Sequence, residues 1–365
     1  MAKKKQRIGV LTGGGDCPGL NAALRGVAKA AMNEHGMEVV GICDGYEGLI
    51  DLHAHLLHPM DVSGILTLGG TILGTSNRAN PFANIERRGD KLVKVDRSDR
   101  VLKNIKRLGL DALVCIGGDG TLSIANELGK RGVNVVGVPK TIDNDLCETD
   151  LTFGFDSAAQ IATDGIDRLH TTAQSHHRVM VIELMGRNAG WLTLYSGVAG
   201  GADVILIPEI PYDIHCVVEC CTRRSRVGKR FTIVAVSEGA KPKGGKQVVG
   251  RTVETSHDPI RLGGIGKMVA DQIEKMSGIE SRAVVLGHLQ RGGTPTAFDR
   301  VLATRFGTEA ARLVATGRFR RMVCLKKFKI TSVPIEKAVA KQKLVPRNHP
   351  VIKAARAVGT CFGDE

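Results

Sequence analysis

Short apolar runs that break into polar, glycine-bearing loops recur along this sequence, and that alternation constrains the fold more than any other feature. Residues 8–12 run into Gly13-Gly14-Gly15-Asp16-Cys17-Pro18-Gly19, after which residues 21–32 carry an amphipathic helical pattern. Residues 111–116 run into Gly117-Gly118-Asp119-Gly120-Thr121 ahead of a helix predicted to start near Leu122, and residues 133–138 run into Pro139-Lys140-Thr141-Ile142-Asp143-Asn144-Asp145. Residues 39–44, 179–183, 204–207, 231–236 and 283–286 read as further strands. Strands alternating with helices predict an α/β fold built on parallel sheets. In such sheets ligands bind at the carboxyl ends of the strands, where these loops fall. At 365 residues the chain exceeds the usual domain size of roughly 100 to 200 residues, so two domains are expected.

The loops differ in chemistry. Residues 139–145 place two carboxylates, a hydroxyl and a lysine within one strand-end loop; one carboxylate can take a proton from an attacking hydroxyl while its neighbour orients a metal or a lysine. An Asx-rich turn is the alternative, because Asp and Asn also stabilise turns through their own backbone. The glycines of residues 13–19 let backbone N–H groups approach a phosphate at a helix N-terminus, or make a tight turn. In the polar stretch that ends Gly74-Thr75-Ser76-Asn77-Arg78, the arginine meets a phosphate or sits in solvent. Asp119 is a candidate Mg²⁺ ligand, with flanking glycines that clear space for a polyphosphate. His288 and Arg291 share the loop at 287–293, and with Arg178 and Arg282 they point to an anion site. Residues 241–256 are rich in Gly and Lys without periodicity and read as a flexible surface insertion.

A formal net charge of +14 attracts anions. Nucleic acid is a poor match, since the Lys and Arg residues are dispersed, aromatics are only 4% and no nucleic-acid-binding motif is present. Small phosphorylated ligands fit better. No apolar run reaches the length of a bilayer span, and the basic residues 1–7 lead into a strand rather than a signal segment, so the expectation is a cytoplasmic protein without membrane association. The nine cysteines are scattered apart from Cys216, Cys220 and Cys221 beside His215, where zinc is the alternative to reduced, packed thiols.

Taken together, the motifs resemble the phosphofructokinase family. GGGDCPGLN, GTSNR, GGDGT, PKTIDND, SHHR, MGR, SEG, ESR and GHLQRGG occur in the family's order and at compatible spacing from about Ile8 to Phe306. The resemblance implies two Rossmann-like three-layer α/β domains with the active site in the cleft between them. Residues 1–154 plus about 290–340 would bind the donor, and about 155–289 plus 341–365 would bind fructose 6-phosphate. It implies ATP held by Gly14, Arg78, Gly118, Asp119, Gly120 and Thr121, Mg²⁺ on Asp119, Asp143 as general base, and Thr141 and Arg187 at the transferred group. Fructose 6-phosphate would meet Thr141, Ile142, Asp143, Met185, Gly186, Arg187, Glu238, His288, Leu289, Gln290 and Arg291. Arg178 and Arg282 would reach in from a neighbouring subunit of a homo-oligomer, a dimer or a tetramer. ATP-using bacterial members carry glycine where this chain has Lys140, whereas pyrophosphate-using members pair a lysine there with an aspartate in place of Gly120. Gly120 leaves room for the nucleotide α-phosphate, so ATP is favoured and a pyrophosphate-dependent enzyme is the alternative. A non-catalytic sugar-phosphate sensor fits less well because Asp119, Asp143 and Arg187 are all present. A dinucleotide oxidoreductase lacks its GxGxxG after the first strand. Arg25 and the basic residues 223–230 would bind an effector phosphate or form solvated faces. Residues 333–365 carry no motif with assigned chemistry.

Overall fold

The structure is a computed structural model and describes residues 5–253 and 259–365. In the first part of the chain, β1 (Arg7–Thr12), α1 (Leu20–His35), β2 (Glu38–Ile42), α2 (Tyr46–Asp51) and β3 (Ala54–Leu57) lead to a hairpin of β4 (Asn84–Arg88) and β5 (Lys91–Val95). After it come α3 (Ser98–Arg107), β6 (Ala112–Gly117), α4 (Asp119–Lys130) and β7 (Val135–Pro139). The long α5 (Phe155–His176) opens the second part, with β8 (Val179–Leu184), α6 (Trp191–Ala199), β9 (Val204–Leu206), α7 (Ile214–Arg226) and β10 (Thr232–Ser237). There follow β11 (Val249–Thr252), β12 (Ile260–Leu262), α8 (Ile265–Ser277) and β13 (Ser281–Val285). The chain closes with α9 (Ala297–Ala315), β14 (Arg321–Lys326), β15 (Lys329–Pro334), α10 (Ile335–Val339) and α11 (Pro350–Ala357).

Two sheets organise these elements. The larger has the order β15-β14-β7-β6-β1-β2-β3; its inner strands are parallel, with β3 and β15 antiparallel at the edges. The smaller, β13-β8-β10-β9, is parallel throughout. Strands β6, β7, β8 and β10 are buried along their whole length, as strands covered on both faces must be. Helices α1 and α9 cover one face of the large sheet and α2, α3, α4 and α10 the other, while α5 and α6 oppose α7 and α8 across the small sheet. Each sheet is therefore the middle of three layers.

The polypeptide returns to the large sheet after leaving the small one, and the α1–α9 contact fixes that return. A Cβ on Gly26 would stand 2.8 Å from the Thr304 carbonyl oxygen, and one on Gly307 would overlap the Ala23 carbonyl oxygen. Only paired glycines let the two helix backbones approach this closely.

Three local expectations are corrected. Helix α4 begins at Asp119 rather than near Leu122, because the Asp119 carboxylate accepts the Gly120 N–H (2.7 Å) and Gly118 serves as the N-cap. The strand expected at 283–286 begins at Ser281, which puts Arg282 inside it. Residues 241–256 are not a structureless insertion: β11 pairs antiparallel with β12, and Gln247 donates to the Gly239 carbonyl (3.0 Å) and to Asn188 Oδ1 (3.1 Å). Residues 254–256 of that stretch lie outside the described residues.

Candidate active site

Parallel β1, β6 and β7 deliver their carboxyl-end loops to one edge of the large sheet, where backbone bonds lock them together. The Gly13 N–H donates to the Ile116 carbonyl (2.9 Å), the Gly14 N–H to that of Ser76 (3.2 Å), and the Lys140 N–H to that of Gly117 (3.0 Å). Thr75 Oγ1 donates to the Gly14 carbonyl at 2.7 Å, so the loop bearing Arg78 closes over the first glycine loop. Arg78 itself is exposed. Thr121 is buried against Gly13 and Gly117, and its carbonyl accepts from the Tyr46 hydroxyl (2.8 Å). Asp119 is exposed in the first turn of α4, and a Cβ on Gly120 would meet nothing within 4 Å.

The loop after β7 folds inward. Lys140, Ile142, Asp143, Asn144 and Asp145 are all buried. Thr141 Oγ1 accepts the Asp143 N–H (3.0 Å) and the Thr141 carbonyl accepts from Thr152 Oγ1 (2.8 Å), so an Asx/Thr turn does exist here, and it serves to aim the carboxylates. Oδ1 of Asp143 is buried and has no hydrogen-bond partner among the described residues. Burial pushes the Asp143 carboxyl up, opposed by the charges of Arg291, Arg187 and Lys140 and reinforced by Asp119. Asp145 is pushed up to about 7 by burial and by its two carboxylate neighbours, Asp143 and Asp119. Burial lowers the Lys140 ammonium, which donates to the Gly15 carbonyl inside the first glycine loop.

The small sheet supplies the facing wall. After β8, Gly186 and Arg187 turn back through positive φ (139° and 50°), and the Arg187 N–H donates to Glu238 Oε1 at the end of β10 (3.0 Å). A Cβ on Gly239 would overlap the Arg187 carbonyl oxygen, so glycine is what lets these two strand ends touch. Glu238 is pushed up to about 7, by burial first, with Asp143 and Glu183 adding to it. Arg291 ends the 3₁₀ turn Gly287–Arg291 and donates to the Asp16 carbonyl (2.9 Å), joining the two walls. On that turn His288 and Leu289 are exposed, while Gln290 is fully buried and donates to the Gly287 carbonyl (3.0 Å). Met185 is partly buried beside Gly186.

Arg178 and Arg282 are not brought to this cleft within one chain. Both lie at the amino ends of the parallel β8 and β13, the opposite edge from Arg187, where Arg178 pairs with Glu280 (2.9 Å) and Arg282 with Glu280 (2.5 Å) and Glu274 (3.4 Å). Within the basic residues 223–230, Arg224 is engaged by Asp203 (2.8 Å). Among the described residues no three His, Cys, Asp or Glu side chains converge as metal ligands, including those around His215. All nine cysteines are free thiols. No helix of the described residues is long and apolar enough to cross a membrane.

Sequence reading missed Lys343. It lies in a segment without a motif, yet its ammonium donates to Asn144 Oδ1 (3.0 Å) in the loop after β7. No signal short of the folded contact marks it.

Loops that present N–H groups, an exposed carboxylate at a helix start and a buried proton acceptor among three cations suit the movement of a phosphoryl group between two oxygens. The fold and the cleft are those of an α/β phosphotransferase. A family model described as phosphofructokinase matches residues 7–314, and the chain belongs to that family. It is 50% identical over 366 residues to the ATP-dependent 6-phosphofructokinase 2 of Clostridium perfringens, covering 100% of each chain. It is also 50% identical over 341 residues to the pyrophosphate–fructose 6-phosphate 1-phosphotransferase of Amycolatopsis methanolica, covering 93% of this chain and 96% of that one. The crystal structure of Pichia pastoris phosphofructokinase in the T-state superposes with a TM-score of 0.79 at 35% identity, covering 93% of this chain, which spans 36% of that longer one.

Proposed function

We propose that this protein transfers the terminal phosphoryl group of ATP to the 1-hydroxyl of fructose 6-phosphate, giving fructose 1,6-bisphosphate and ADP in glycolysis. One observation carries the reading: Oδ1 of Asp143, buried and without a partner among the described residues, lies among Arg187, Arg291 and Lys140, in a chain aligned end to end with an ATP-dependent 6-phosphofructokinase. Asp143 takes the proton of the attacking hydroxyl, and burial makes it a stronger base than an exposed aspartate. Arg187 and Arg291 supply fixed positive charge for the phosphoryl oxygens in flight, and Thr141 fixes the backbone from which Asp143 projects. Glu238 accepts from a sugar hydroxyl, with Met185, Gly186 and Ile142 shaping the floor and His288 and Leu289 the rim, which the buried Gln290 supports from within.

The donor lies against the loops of Gly14 and of Gly118 to Thr121, with Arg78 on its phosphates. Mg²⁺ fits Asp119, whose carboxylate is exposed at the start of α4, because Mg²⁺ takes one or two protein carboxylates and fills its remaining positions with phosphate oxygens and water. When bound it neutralises charge on the donor phosphates. Residues 1–154 plus about 290–340 form the donor half and about 155–289 plus 341–365 the sugar half.

Arg178 and Arg282 serve a neighbouring subunit, since they lie at the far strand ends. The exposed Val285, Leu289, Phe298 and Val301, close in sequence to Arg282, favour a homo-oligomer. Nine reduced thiols suit a cytoplasmic location.

Lys140 favours a second reading, a pyrophosphate-dependent enzyme. Its Nζ would stand 3.6 Å from a Cβ on Gly14, inside the donor loop, and the Amycolatopsis relative uses pyrophosphate by name. Steady-state kcat/KM with Mg-ATP and with Mg-pyrophosphate at saturating fructose 6-phosphate tests the choice. Higher efficiency with ATP is expected; preference for pyrophosphate overturns the ATP reading.

A further inference from the structure

We infer that Lys343 is a positioning residue for the Asp143 loop, clamping it to the sugar half of the molecule. The inference rests on Asp143 being the general base. Lys343 follows α10 in the stretch that runs from the large sheet back to the small one. Its ammonium donates to three acceptors, Asn144 Oδ1 (3.0 Å), the Thr149 carbonyl (3.0 Å) and the Asp150 carbonyl (3.1 Å), which uses all of its N–H groups. The same nitrogen stands 5.5 Å from the centroid of the Trp191 ring.

The backbone is tied just as firmly. The Lys343 N–H donates to the Asp145 carbonyl (2.7 Å), and the Lys343 carbonyl accepts from Trp191 Nε1 (2.7 Å). Two residues on, the Val345 N–H donates to Glu209 Oε1 (2.8 Å), a carboxylate that also accepts from the Gly190 N–H (3.0 Å) at the start of α6. One short strap therefore grips Asn144 and Asp145 on one side and, on the other, the segment that leads out of Met185-Gly186-Arg187.

Such a clamp has mechanical work here. Asn144, the residue after Asp143, has φ of 50°, in the left-handed region that L-residues adopt sparingly and Asn more readily than most. Lys343 and the Thr152 N–H (3.2 Å) hold its side chain in place. Lys343 does not itself touch Asp143, so its influence passes through the loop. Burial lowers the ammonium to about 8, while Asp145, Asp150 and Cys147 favour its charge. A desolvated lysine of this kind is costly to keep unless the contacts it makes are needed.

A double-mutant cycle tests the inference. Lys343→Met keeps most of the length of the side chain and removes its donors. In the wild-type background kcat should fall about 10-fold or more, the scale expected for a misplaced catalytic group, with KM for ATP within about twofold. In the Asp143→Ser background the same substitution should change the residual kcat by less than about twofold, because there is no base left to place. An undiminished loss in the Asp143→Ser background overturns the inference, as does a wild-type-like kcat in a folded Lys343→Met protein. If Lys343→Met does not fold, Trp191→Phe, which removes the N–H that holds the Lys343 carbonyl and shortens the ring near its ammonium, carries the same cycle with the same criteria. A wild type inactive on fructose 6-phosphate with either donor instead removes the functional reading beneath it.

Discussion

The Arg187 backbone N–H donates to the Glu238 carboxylate at 3.0 Å, so the residue expected to meet the sugar and the residue expected to meet the phosphoryl group are held by one bond. Burial raises Glu238 to about 7. A carboxyl whose folded value is raised carries its extra stability below its ordinary value near 4.5 and loses it as pH rises through about 7. Glu238→Gln should thus raise the melting temperature at pH 8 more than at pH 4. In the wild type, kcat/KM for fructose 6-phosphate should fall as pH drops below about 7, where Glu238 takes up a proton and loses the charge that makes it a strong acceptor for a hydroxyl. That limb should flatten in Glu238→Gln. A pH-independent difference in melting temperature counts against the assignment.

Asp143→Ser removes the proton acceptor while leaving the Thr141 turn, since that turn uses the Asp143 backbone N–H. A kcat lower by about 10²-fold or more, with KM for both substrates little changed, is expected. Near-normal turnover in a folded protein sinks the role of general base.

Gly120 faces open space, with nothing within 4 Å of where a Cβ would stand, so a side chain there projects away from protein, into the space proposed for the donor. Gly120→Asp adds bulk and a negative charge opposite the α-phosphate of a nucleotide, whereas pyrophosphate has no such group. ATP kcat/KM should fall selectively, with the pyrophosphate value preserved or raised. Equal losses with both donors would assign donor choice elsewhere.

Arg178 and Arg282 lie at the strand ends opposite Arg187. If they complete a neighbour's sugar-phosphate site, hybrids of Asp143→Ser and Arg178→Ala subunits should regain activity, because some sites then combine two intact halves. Hybrids verified by native mass spectrometry that stay inactive at saturating fructose 6-phosphate refute the shared site.

The sequence by itself determined the strands that matter and the loops that end them. Period and burial are local properties, and a run such as residues 111–116 followed by glycines has few other ways to fold. Order and spacing of the motifs from Gly13 to Gly293 were enough to point to the family, including Asp119, Asp143 and Arg187. The tertiary structure alone decided what meets what. Arg291 reaches the Asp16 carbonyl 275 residues away, and Lys343 reaches Asn144 across 199. It also decided that Gln290 turns inward, that Arg178 faces away from Arg187, and that residues 249–252 find a strand partner in 260–262. These outcomes depend on close glycine contacts inside each half, such as Gly26 with Gly307 between α1 and α9 and Gly239 with Arg187 between the ends of β10 and β8. Closeness of that kind is set by the whole fold, and no local pattern of residues encodes it.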